Sequence, residues 1–182
     1  MTLLSSCGKT TQKDNVSLNE KKQKLEYSFS EYSEKIPLVT LPFNSNCETA
    51  LEGLLFGFTN IEISKFGKAD CSIYGKLADN DKYTAIIYLL TSDIILPIIV
   101  TTDKKGKKIS ELELYDGYCG EEETFNEISF VSIDKNMTIQ LKDFSTTYKR
   151  DDKIEIIEST MKTTVKHRQF YINNKGKIIE QK

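Results

Sequence analysis

From Cys71 onward the chain alternates short apolar runs with polar turn clusters, and this alternation restricts the fold more than any other feature. The runs are Ser72–Leu77, Tyr83–Leu90, Ile95–Thr102, Ile109–Tyr115, Glu127–Ile133, Met137–Lys142, Ile154–Glu158, Thr163–Ile172 and Lys177–Glu180. Between them lie Asp79-Asn80-Asp81, Asp103 to Gly106, Asp134-Lys135-Asn136, Asp151-Asp152 and Asn173 to Gly176. Such residues tolerate positive φ or bond their own backbone, so they form turns. Links this short favour antiparallel neighbours joined as hairpins, because a parallel crossover needs a dozen or more residues.

The pattern within the runs separates wet faces from dry ones. Met137, Ile139 and Leu141 share one face of a strand, and Thr138, Gln140 and Lys142 share the other, which describes a half-buried strand. Tyr83–Leu90 is apolar on both faces, so it belongs in the centre with both sides covered. The expected fold is mainly β, or α+β with one short helix. It is an antiparallel meander of about eight to nine strands, a curled sheet or a sandwich or barrel-like form. The length is too small for a full propeller.

Ahead of the meander, Ile36 to Phe43 reads as a strand that Pro37 and Pro42 confine to an edge or bulge. Ser45 and Glu48 fit a capping box. Ala50, Leu51, Leu54, Leu55 and Phe58 follow at helical spacing, and Gly57 is placed to end the turn. Gly8 to Lys35 is polar, with six Lys against five Asp and Glu, and reads as a tether. Within it Ser17 and Glu20 fit another capping box, and Leu18, Leu25, Phe29 and Tyr32 fall near one helical face.

The run Leu4-Ser5-Ser6-Cys7, followed by Gly8, resembles the processing site of a bacterial lipoprotein. The resemblance implies that residues 1–6 are a signal-peptide remnant and that Cys7 takes up a diacylglycerol. Residues 7–35 are then a lipid-anchored polar tether, and residues 36–182 a single β-rich domain. It also implies attachment to the cell envelope. Gly8 stands where an aspartate retains some lipoproteins in the inner membrane, which points to the outer membrane, facing the periplasm or the surface. Two acyl chains give stable anchoring at ~0.8 kcal/mol per buried methylene, where one chain is marginal. The most apolar stretch, Tyr83 to Val100, is interrupted by Thr84, Thr91, Ser92, Asp93 and Pro97. It is no transmembrane helix, which needs ~20 apolar residues. The strings "TTDKKGKKISELELYDG" and "FYINNKGKIIEQK" resemble the C-terminal halves of β-rich bacterial envelope lipoproteins of uncharacterised activity. That likeness implies a meander and no catalytic residue.

Chemistry-bearing motifs are sparse. A net charge of −2 leaves no basic footprint for nucleic acid. Trp is absent, which argues weakly against a carbohydrate-binding face, although Phe and Tyr can serve there. Apart from Cys7, the cysteines are Cys47, Cys71 and Cys119, enough for one disulfide between two of them. No CxxC occurs, so no zinc ribbon or thioredoxin motif is present. His167 is the single histidine and reads as an exposed cross-strand residue with Val165, Gln169 and Tyr171 on its face. No Gly-x-Ser-x-Gly elbow supplies a serine for it. Asp79-Asn80-Asp81 opens like a calcium loop, but Thr84 and Leu90 stand at the sixth and twelfth positions. No metal or other cofactor is implied.

One asymmetry remains. From Ser110 to Asp134 there are eight acidic residues and no Lys or Arg; from Tyr148 to Lys182 there are nine Lys and Arg against five acids. The simplest reading is a solvated acidic loop. The functional reading is an acidic lip at Asp116, Glu121, Glu122 and Glu123 for a basic protein partner or Ca²⁺, with Cys119 pinning the loop. The expected function is a non-enzymatic, lipid-anchored binding or structural module that takes a protein or ligand at one end of its sheet. The alternatives are an inhibitor of an envelope-attacking hydrolase or a hydrolase that uses paired carboxylates.

Overall fold

The computed structural model describes residues 28–47, 71–91, 95–115 and 119–181. Among the described residues the fold is mainly β, with one short helix and two antiparallel sheets that do not close into a barrel. The elements are α1 (Phe29–Lys35), β1 (Phe43–Asn46), β2 (Cys71–Asp79), β3 (Thr84–Thr91), β4 (Ile95–Thr102), β5 (Lys108–Glu113), β6 (Gly120–Glu122), β7 (Phe125–Ile133), β8 (Thr138–Arg150), β9 (Ile156–Ile172) and β10 (Ile178–Gln181). The four-stranded sheet runs β2-β3-β4-β5. The six-stranded sheet runs β1-β7-β8-β9-β10, with β6 added beside β7.

Strand β3 explains the layering. Ala85, Ile87 and Leu89 join a core with Ile99 of β4 and with Val131, Ile133, Ile139, Leu141 and Phe170 of the six-stranded sheet. The alternate residues Ile86 and Tyr88 pack with Ile98, Val100 and the Phe29, Tyr32 and Ile36 side chains around α1. The four-stranded sheet is therefore a middle layer, covered on one face by α1 and on the other by the larger sheet. Side chains of period two make this possible only where both sets are apolar.

Helix α1 begins with a full capping box, Ser28 with Glu31. The last residues assigned to the tether thus belong to the folded domain. Phe29, Tyr32 and Ile36 are buried, so the expected boundary after Lys35 moves to Ser28 or earlier. Cys7, Ser17, Glu20 and the rest of the tether lie outside the described residues. The buried Lys76 holds the helix in place: its Nζ donates to the Ser33 carbonyl at 2.9 Å and to Asp79 at 2.7 Å.

The segment after α1 corrects the expected first strand. Only Leu38 bridges, in parallel, to Lys76, while Val39 N–H and the Pro37 carbonyl bond the Lys76 backbone. Gly75 permits this approach, since a Cβ there would sit 2.7 Å from Val39 Cγ2. Pairing proper starts at Phe43, after a cis Leu41–Pro42 bond. Ser45 does not cap a helix: it lies in β1, and its hydroxyl meets Tyr115 Oη at 2.8 Å. Glu48 and the helical spacing from Ala50 to Phe58 lie outside the described residues.

Four hairpins use one turn. Asp103, Asp134, Asp151 and Asn173 each accept two backbone N–H bonds, from the residues two and four places on. The fourth residue of each turn has positive φ: Gly106, Met137, Ile154 and Gly176. This is a type I turn closed by a left-handed residue, the geometry of a bulged hairpin. At Gly176 a side chain is also blocked by space, because a Cβ would lie 2.8 Å from Tyr83 Cβ. Two strands exceed the expected lengths: β8 runs on to Arg150, and β9 unites Ile154–Glu158 with Thr163–Ile172. Together they form a long arm with Ile154, Ile156 and Met161 exposed.

Candidate functional site

The six-stranded sheet has two unlike faces. Its inner face carries the core through Phe43, Val131, Ile133, Ile139, Leu141, Phe170 and Ile172. Farther along it becomes polar: Ser129 Oγ donates to the buried Asp143 at 2.7 Å, and Arg168 lies 3.5 Å from the other Asp143 oxygen. The outer face follows from the alternation and the register. Three rows cross the strands. One is Asn44, Ser132, Gln140, Gln169 and Gln181; the next is Asn46, Phe130, Lys142 and His167; the third is Ile128, Phe144 and Val165.

These rows form an amide row, a mixed row with two basic side chains, and an apolar row. Neighbouring strands are ~4.8 Å apart, so each row presents its groups at that spacing. Phe130 is 40% exposed and Val165 56%. Phe130 and Phe144 meet edge to face, with ring centres 5.5 Å apart. Around them lies a shallow open depression of about 490 Å³, lined by Asn44, Asn46, Phe130, Ser132, Gln140, Lys142 and Phe144 among others. These three rows hold no carboxylate. Beyond them on the same face Glu121 stands beside Asn126, on the short β6. Lys142 and His167 stand directly opposite each other, and both are exposed.

The residues singled out from the sequence are distributed differently. Glu121 and Glu122 are adjacent on β6, so alternation directs them to opposite faces. Glu123 pairs with Arg150 of the β8–β9 arm. The three acids do not converge, and Asp116 lies outside the described residues. Among the described residues no three His, Cys, Asp or Glu side chains gather as a cation site. Cys47 and Cys119 form a disulfide, with Cα atoms 6.0 Å apart. It ties the end of β1 to the start of β6. Cys71 is buried on the α1 side of the middle sheet. His167 sits in mid-strand on the open face.

The described carboxylates with close partners are engaged structurally. Partial burial pushes the Asp79 carboxyl up, but hydrogen bonds from Lys104, Lys76 and Thr84 outweigh it and hold the group at about 2, from an ordinary 3.8. Asp103 and Asp134 are held below the usual carboxylate range chiefly by backbone N–H donors in their turns. Burial pushes the Tyr115 hydroxyl up, partly opposed by its bond to Ser45.

The outer-face rows were missed in the sequence. Their signal is the residue set 126, 128, 130 and 132 on β7, 138 to 146 by twos on β8, and 163 to 171 by twos on β9. That set contains no acid, while the intervening positions include Glu127 and Asp143. Comparison with known protein families, curated proteins and solved structures finds no match to this chain. Among the described residues no helix is long and apolar enough to cross a membrane.

Proposed function

We propose that the protein is a non-catalytic binding module, held on a bacterial envelope membrane through a lipid on Cys7, that takes its partner on the open face of the six-stranded sheet. One observation carries this reading. The face exposes an aromatic pair in a depression lined by amides and hydroxyls, while the sheet's other side is committed to the core. Exposed apolar groups rimmed by polar ones mark interaction sites. The Cys47–Cys119 disulfide is consistent with an oxidising compartment outside the cytosol.

The test has two arms. Fatty-acid labelling of the precursor in a Gram-negative host should mark the wild type and not Cys7→Ser; equal labelling of both contradicts the anchor. For the face, Cys7→Ser protein is mixed with isolated envelopes and sedimented. It should cosediment, and Phe130→Ala combined with Gln140→Glu should abolish this, whereas Lys108→Ala on β5 should not. Cosedimentation that ignores the face substitutions, or is absent throughout, contradicts the site.

A further inference from the structure

We propose that the open face binds an acidic oligosaccharide, one whose sugar rings carry carboxylates. The inference rests on the reading of this face as the binding site and names its ligand class. Three independent features of the face agree. The exposed Phe130 and the partly exposed Phe144 offer flat apolar surface to the C–H face of a sugar ring. The row of Asn44, Gln140 and Gln169 offers paired donors and acceptors, and an amide can give and accept a hydrogen bond with neighbouring hydroxyls at once. Lys142 and His167 stand opposed in register in the middle of three rows that hold no carboxylate. An acid group placed over them pairs with the Lys142 ammonium and accepts a hydrogen bond from the His167 ring.

The three rows differ from the chain as a whole in holding no acid. The chain has 27 Asp and Glu among 182 residues, yet none falls in the three rows that cross the open face. A partner of negative charge meets no repulsion there, while the acidic β6 edge beyond Asn126 limits how far it extends. A neutral glycan uses the rings and amides but leaves the Lys142 ammonium without an opposite charge. A non-sugar polyanion uses the charges but leaves the rings and the amide row idle.

Affinity electrophoresis of the full chain in gels containing polygalacturonate, dextran or poly-glutamate separates these cases. Retardation is expected in polygalacturonate alone. Gln140→Glu places a carboxylate in the amide row without emptying the core, and should weaken binding at least tenfold with the melting temperature unchanged. Phe130→Ala and Lys142→Gln should each weaken it at least fivefold. Equal retardation by dextran overturns the role of Lys142 and of the acid group, and equal retardation by poly-glutamate overturns the sugar. No retardation in any gel overturns the proposal. If envelope cosedimentation still depends on Phe130 and Gln140 in that case, the face remains a binding site for another partner. If it does not, the reading of the face fails as well.

Discussion

The two sheets are built from the same hairpin turns and yet use their faces differently. The four-stranded sheet is apolar on both sides. Ile86 and Ile87 are both fully buried, one toward α1 and one toward the larger sheet. The six-stranded sheet buries Val131 and Leu141 on one side and leaves Phe130 and Lys142 to solvent on the other. A strand with two buried faces has no side chain left for recognition, so the middle sheet is scaffold. A strand with one buried face keeps every second residue available for contact. In this fold a face open to solvent arises where the covering layer stops.

The largest expected effect tests that division directly. Ile87→Ala removes buried methylenes from the middle of the core and should cost ~2–5 kcal/mol. Val165→Ala, on the open face, should stay within ~0.5 kcal/mol. Denaturant melts measure both, and comparable losses would mean that the open face is covered. His167→Ala belongs with Val165 in this contrast.

Next comes the disulfide. It closes a separation of 72 residues and contributes about 4 kcal/mol in the chain-entropy model. Cys47→Ser should lower stability by up to that amount. It should also weaken binding at the open face, because Asn44 and Asn46 ride on the strand that it secures. Unchanged binding with lowered stability would limit the site to β7, β8 and β9.

A smaller effect concerns how α1 is held. Asp79→Asn should cost ~1–3 kcal/mol, the scale of charge-assisted hydrogen bonds. The folded-state value of Asp79 lies below the unfolded one, so its contribution is complete above about pH 3.8 and is lost as the pH falls toward about 2. Asp103 and Asp134 shift in the same direction, so acid should destabilise the protein over the same range. Thermal melts from pH 5 to pH 2 should show a shallower decline for Asp79→Asn than for the wild type. Parallel declines would remove Asp79 from the account.

The smallest change should be a gain. Ile154 holds φ 72° and is 68% exposed, whereas Gly106 and Gly176 fill the same position in sister turns. Met137 shares the strain but packs against the core. Ile154→Gly should therefore stabilise by about 1 kcal/mol, the cost of a left-handed L-residue. The matching change at Met137 should gain nothing or lose. Thermal melts compare the two, and a loss at Ile154 would show that its side chain has a contact in the folded state.

Much of the fold was legible because turn chemistry and period-two patterning are local. The strand cores in β2–β5 and β7–β10, the central place of Tyr83–Leu90 and the exposed face of His167 all follow from neighbours in sequence. Three things did not. β1 was obscured because Ser45 and Glu48 mimic a helix cap, and the Ser45 bond to Tyr115 spans 70 residues. β6 is too short and too acidic to carry a pattern. The open face depends on register across β1, β7, β8 and β9, which joins Asn44 to Ser132, Gln140 and Gln169; no spacing within one strand records that row. The acidic run from Asp116 to Glu123 was conspicuous by composition, but strand alternation and the Arg150 pair disperse it.

The middle sheet is scaffold, and the open face of the larger sheet is the proposed landing place of a partner. Backbone amide shifts of the isotope-labelled protein, followed during titration with a short galacturonate oligomer, test it most directly. The predicted result is a set of shifts centred on Asn44, Phe130, Gln140, Lys142 and His167, with β3 and β4 unchanged. Shifts centred on the Glu121–Glu123 edge or on the middle sheet, or no shifts at all, would contradict it.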